Sequence, residues 1–107
     1  MGITKEHIHT KDANRIAEIA KVFAHPARVA ILQYISKQES CICNDIVDEI
    51  GLAQPTVSQH LKVINNAGLL KGTFQGKSIC YCIDMAKFQE YQHLFNSFFN
   101  QTKSNCC

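Results

Sequence analysis

From Asn44 to Ile83 the chain reads as a short helix, a tight turn, a second helix with a polar outer face, and a hairpin tipped by Gln75, Gly76 and Lys77. That order is a helix-turn-helix followed by a wing, and it constrains the fold more than any other feature because the shape is used chiefly to enter DNA grooves. Charge follows the same division. Between Gly51 and Ile83 stand Lys62, Lys71 and Lys77 and no carboxylate, whereas the preceding stretch from Glu39 to Glu49 carries Glu39, Asp45, Asp48 and Glu49. The segment expected to face phosphates is therefore purely cationic, although the net charge of the whole chain is only +2.

With 107 residues and 46% hydrophobic content, the chain has material for one domain with a modest core. The domain is expected to span residues 1–107 and to be mainly α with a small β-hairpin, in the order α-α-α-α-β-β-α, and homodimeric. No apolar run has the length of a membrane span or a signal peptide, and Met1 to Asp12 is polar, so a reducing cytoplasm is the expected location. In that compartment the six cysteines are expected as thiols, metal ligands or redox sensors, not as a disulfide framework. A prenylated tail is set aside, because the pattern needs cysteine where Ser104 stands.

Periodicity places the remaining elements. Ile16, Ile19, Ala20 and Phe23 recur at helical spacing, which predicts a first amphipathic helix over Asp12 to Ala24, with Asp12 or Asn14 near its start. His25-Pro26 breaks it, and Pro26 suits the first turn of a second helix in which Ile31, Leu32 and Ile35 face inward and Arg28 outward. Cys41-Ile42-Cys43 reads as a short extended link into a third helix capped by Asn44, with Ile46, Val47 and Ile50 inward and Gly51 as its left-handed terminator.

In the fourth helix, Gln54 to Ala67, Val57, Leu61 and Ile64 form the buried stripe, with His60 beside them as a structural histidine. Its opposite side presents Gln54, Thr56, Ser58, Gln59 and Lys62, groups able to bind phosphates or read base edges in a groove about 12 Å wide. Gly68 ends that helix. Leu69 to Phe74 and Ser78 to Ile83 are the expected strands, with Ile79, Tyr81 and Ile83 toward the core and Ser78, Cys80 and Cys82 on the other face. Asp84 caps a last helix rich in aromatic residues: Phe88, Tyr91, Phe95, Phe98 and Phe99. These rings exceed what so small a core can bury, so a second subunit is the expected cover, with Ile16, Ile19, Phe88, Tyr91, Phe95 and Phe98 in the dimer contact.

Four motifs occur in register: Phe23-Ala24-His25-Pro26-Ala27-Arg28, Cys41-Ile42-Cys43-Asn44-Asp45-Ile46, Gln54 through Lys62, and Ala67-Gly68-Leu69. Together they resemble the ArsR/SmtB family of bacterial metal- and stress-sensing repressors, over nearly the whole chain from Arg15 onward. The resemblance implies a dimeric winged-helix protein paired through its first and last helices that covers its own promoter until an inducer binds. It also implies that Thr56, Ser58, Gln59 and Lys62 enter the groove, with Lys71 and Lys77 of the wing beside them. Two departures stand out: Ala53 occupies the cap of the recognition helix, where serine or threonine is usual, and the wing offers lysines where arginine is common.

Cys41 and Cys43 are one residue apart, so in an extended link both sulfurs point to one side and can close on a soft ion. A following helix N-terminus favours the thiolate. Arsenite-responsive members of the family have a third cysteine where this chain has Ile46. A further ligand is expected from Cys106 or Cys107, from Cys80 or Cys82, or from His7 or His9 of a partner's arm. As(III) or Sb(III) suits an all-sulfur set, while Cd(II), Pb(II) or Zn(II) would accept histidine. His93 lacks the carboxylate and second histidine that a zinc site on the last helix would require.

Other classes remain in view. A redox switch could use Cys41 with Cys43 or the tail thiols. A thiol enzyme is disfavoured, because the spacing is C-x-C and no catalytic constellation accompanies it. A winged helix used only for protein contacts would tolerate Ser58→Glu and Lys62→Glu, which a DNA reader would not.

Overall fold

The computed structural model of the chain describes residues 9–38, 46–75 and 78–101. The elements run α1 (Lys11–Phe23), α2 (Pro26–Ser36), α3 (Ile46–Ile50), α4 (Gln54–Asn66), β1 (Leu70–Gln75), β2 (Ser78–Ile83) and α5 (Met85–Gln101). This is the expected order of helices and hairpin.

Local chemistry explains each boundary. Thr10 caps α1, its Oγ1 accepting the Ala13 N–H at 3.1 Å, so the cap precedes the expected Asp12 or Asn14. Within α1 the buried residues are Ile19 and Val22; Ala20 and Phe23, expected inward, are exposed. The buried side of α1 is thus turned from the expected stripe toward Ile19 and Val22. Pro26 occupies the first turn of α2, and Ile31, Leu32 and Ile35 are buried as the spacing predicts. Gly51 and Gly68, with φ of 77° and 81°, close α3 and α4 in the left-handed conformation that glycine adopts without steric cost. The expected Asn44 cap lies outside the described residues.

The core joins Ile31, Leu32 and Ile35 of α2 to Ile46 of α3, Val57, Leu61 and Ile64 of α4, Leu69, Leu70 and Tyr91. Between the strands, Leu70 pairs with Ile83 and Gln75 with Ser78, in antiparallel register. Tyr81 and Ile83 pack against the core as expected. The opposite face is not a solvent face, however, because Cys80 is 0% exposed. Period-two alternation sorts residues onto two faces and cannot tell whether the second is also covered.

α5 is tied to α4 by geometry as well as packing. The Tyr91 hydroxyl donates to the Ala67 carbonyl at the C-cap of α4, and the Asp84 N–H donates to Leu69 O at 2.9 Å. Asp84 also caps α5, its Oδ1 accepting the Lys87 N–H at 3.2 Å. On the outer side, Arg15 of α1 pairs with Glu90 and lies 5.8 Å from the centre of the Tyr91 ring.

The start of α4 is its weak point, since Ala53 supplies no side-chain cap hydrogen bond. Ala53→Ser is expected to raise unfolding stability by about 1 kcal/mol, measured by urea denaturation. An unchanged midpoint would mean that the α4 amides already have another acceptor.

Candidate nucleic-acid interface

α4 buries Val57, Leu61 and Ile64, at 1%, 7% and 0% exposure, and thereby turns its other side outward. Gln54, Thr56, Ser58, Gln59 and Lys62 are all exposed, as is Lys71 on β1. The structure therefore brings together six of the seven residues expected to touch DNA; the seventh, Lys77, lies outside the described residues. The exposed row combines amides, hydroxyls and ammonium groups with no carboxylate, a donor-rich set suited to phosphates and base edges. The carboxylates of α3, Asp48 and Glu49, are exposed on the neighbouring helix.

His60, expected inward as a structural histidine, is only half-buried. Its ring centre lies 4.4 Å from that of His25, with the planes at 59°. His25 is the N-cap of α2, where its Nδ1 accepts the Ala27 N–H at 3.2 Å. Arg28, expected on the outer side, is half-buried, and its Nε is buried without a hydrogen-bond partner. Burial, reinforced by the nearby His25 and Arg28, holds the His60 imidazole below its ordinary value of 6.5. Residues 25 and 60 lie far apart in sequence, so periodicity carried no signal of this juxtaposition.

The thiol sites fall differently. Cys41, Cys43, Cys106, Cys107 and His7 lie outside the described residues, and among the described residues no group of three or more His, Cys, Asp or Glu could hold a metal ion. Cys80 and Cys82 are disulfide-bonded, contrary to the expectation of thiols, metal ligands or redox sensors in place of disulfides. Composition and inferred compartment say what is usual for cysteine, whereas pairing depends on which sulfurs the fold brings within bonding distance.

Of the residues expected in a dimer contact, Ile19 and Tyr91 are instead buried in the chain's own core. Ile16, Phe88 and Phe95 are half-buried, and Phe98 and Phe99 are 46% and 64% exposed. An apolar groove of about 510 Å³ between α1 and α5 is lined by Ile16, Ala17, His93, Leu94 and Phe98, among others.

A family model described as bacterial regulatory protein, arsR family, matches residues 25–71, which include α2, α3 and the whole of α4. An uncharacterised HTH-type transcriptional regulator of Methanocaldococcus jannaschii is 38% identical over 72 residues, covering 65% of this chain and 80% of that protein. The chain belongs to the ArsR family. The HTH-type transcriptional repressor SmtB of Mycobacterium tuberculosis is 34% identical over 64 residues, covering 60% of this chain and 47% of that protein, so the likeness spans about half of the repressor's length. Among solved structures, a possible transcriptional regulator for arsenical resistance superposes with a TM-score of 0.64 at 28% identity, covering 74% of this chain and 81% of that one. The ArsR-family protein is thus a DNA-binding transcriptional repressor of the ArsR/SmtB type, with relatives that are regulators rather than enzymes. No helix among the described residues is long and apolar enough to cross a membrane.

The His60 environment sets a pH dependence. The unfolded chain accepts a proton near 6.5 that folded His60 resists, so its contribution is neutral above that value and destabilising as pH falls below it. The thermal midpoint of the wild type is expected to drop between about pH 7 and about pH 5 more steeply than that of His60→Gln. Parallel curves for the two proteins would contradict this assignment.

Proposed function

We propose that the protein represses transcription as a homodimer that lays α4 of each protomer in the major groove of an operator and sets the wing lysines against flanking phosphates. The observation that carries this reading is the exposed, acid-free row Gln54, Thr56, Ser58, Gln59 and Lys62 held outward by a buried stripe. Lys71 extends the same cationic surface onto the hairpin. The second copy covers the groove between α1 and α5 and the exposed rings of Phe98 and Phe99.

The inducer reading rests on Cys41 and Cys43. Their spacing favours a thiophilic ion, As(III) or Sb(III) with sulfur ligands alone, or Cd(II), Pb(II) or Zn(II) with histidine added, and Cys106 and Cys107 are the candidate further ligands. No cofactor is required for folding in this reading. The fold neighbour described as a possible regulator for arsenical resistance supports beginning with arsenite. An ion gripping the entry to α3 would act on the helix that supports α4, and a coupling of about 1 to 3 kcal/mol would weaken operator binding about 5- to 150-fold.

A gel-shift titration on the DNA upstream of the gene tests both parts. Wild type is expected to shift the operator at low salt and Lys62→Glu to fail, while arsenite releases wild type but not Cys41→Ser. No shift by a folded wild type at low salt removes the DNA reading, and equal release of wild type and Cys41→Ser removes the metal reading alone.

The disulfide bonding of Cys80 and Cys82 favours a second reading, in which thiol oxidation sets the affinity. A disulfide would form from two thiols by loss of two protons and two electrons to hydrogen peroxide, yielding two waters. Cys80 is fully buried and Cys82 half-buried on the second wing strand, so their oxidation state would act on the hairpin. In this version operator affinity differs between dithiothreitol-reduced and peroxide-treated protein, and Cys80→Ser abolishes the difference. Identical affinities of reduced and oxidised wild type would exclude it.

A further inference from the structure

We propose that His25, Arg28 and His60 form a clamp for a DNA backbone phosphate, joining the start of α2 to the flank of the recognition helix. The proposal rests on the DNA-binding reading above and adds to it a contact outside the exposed row of α4 and the wing.

The geometry supplies three nitrogen donors from two elements. His25 and His60 stand with ring centres 4.4 Å apart. Because His25 Nδ1 accepts the Ala27 N–H, the proton of the neutral ring lies on Nε2, leaving that N–H to donate elsewhere. Arg28 is half-buried with its Nε enclosed and unpartnered, so the guanidinium is anchored at its base and the donors left for a phosphate are its terminal nitrogens. The titratable or charged groups nearest His60 are the His25 imidazole and the Arg28 guanidinium. The elements packed on α4 also bring Asp48 and Glu49 of α3 and Lys71 of β1, all exposed. A cluster with this composition repels a cation and attracts an anion. A metal ion would have two imidazoles but also the Arg28 guanidinium as neighbour, and the described residues provide no third ligand.

Position identifies the anion. On α4, His60 lies between the buried row Val57, Leu61 and Ile64 and the exposed row that includes Gln59. A helix about 10–12 Å across in a groove about 12 Å wide has its flanks against the phosphate ridges, while its outer row meets the bases. A phosphate at the cluster would offset the Arg28 charge and favour protonated His60. Binding would then take up a proton, and affinity would rise as pH falls toward and below 6.5.

Fluorescence anisotropy of the full chain on an operator duplex and on a scrambled duplex, across salt and pH, tests the clamp. Arg28→Gln is expected to weaken binding to both duplexes alike and to flatten the slope of log K against log salt by about 0.9. Arg28→Lys should keep most of that slope, and His60→Gln should remove the acid-side gain in affinity. Folded Arg28→Gln and His60→Gln proteins with wild-type salt slope and pH dependence would overturn the clamp, as would a loss confined to the operator. Should Arg28→Gln fail to fold, the His60 titration in wild type decides: its pKa, followed by NMR, should rise on DNA. An unchanged value with DNA, or a rise with inorganic phosphate but none with DNA, overturns the proposal. Absence of any DNA binding by wild type sinks the parent reading, and the clamp with it; retained binding with unaffected variants sinks the clamp alone.

Discussion

Burial of Val57, Leu61 and Ile64 against the α2 stripe of Ile31, Leu32 and Ile35 is the constraint on which the rest of the structure depends. Each such side chain contributes about 1.5 to 3 kcal/mol when removed from water, and three at helical spacing fix the rotation of α4 about its axis. The polar row faces outward because the apolar row has only one place to go. Turning the helix would expose the stripe and bury Lys62 and Gln59 without partners, at several kcal/mol.

The end of α4 is held by a different means. Its C-cap carbonyl, Ala67 O, accepts the Tyr91 hydroxyl, and Gly68 turns the chain directly into Leu69, whose carbonyl accepts the Asp84 N–H. α5 is thus joined to both ends of the hairpin region and, through Arg15 with Glu90, to α1. A displacement of α5 relative to α1 would be felt at the last turn of the recognition helix through Tyr91. The start of α4 has no comparable tie, since Ala53 offers no cap, and the His25–His60 contact lies near the middle of the helix. α4 is therefore firmly held at its C-terminal end and along its buried face, and more lightly at its start.

The exposed aromatic surface follows from the small size of the domain. Tyr91 lies in the core and Phe88 and Phe95 pack at its edge, which leaves little room for Phe98 and Phe99. Rings that a single core cannot hold are normally covered by another chain, and the groove between α1 and α5 is continuous with them through Phe98. Two of the residues read from sequence as subunit contacts, Ile19 and Tyr91, were diverted into the core. A periodic apolar stripe shows that a face is covered but not by what.

The order of elements, the buried stripe of α4, the terminators Gly51 and Gly68 and the outward polar row were legible in the sequence, because all depend on short-range period and on glycine's backbone freedom. Strand alternation likewise placed Tyr81 and Ile83. What only the tertiary structure decided were contacts between distant segments, namely the His25, Arg28 and His60 cluster and the Tyr91 bond to Ala67, together with the burial of Cys80 and the oxidised state of Cys80 and Cys82. Such contacts depend on how helices and strands pack against one another. Local sequence specifies the face an element hides, while the partner it meets there is set by the closure of the whole chain around one core.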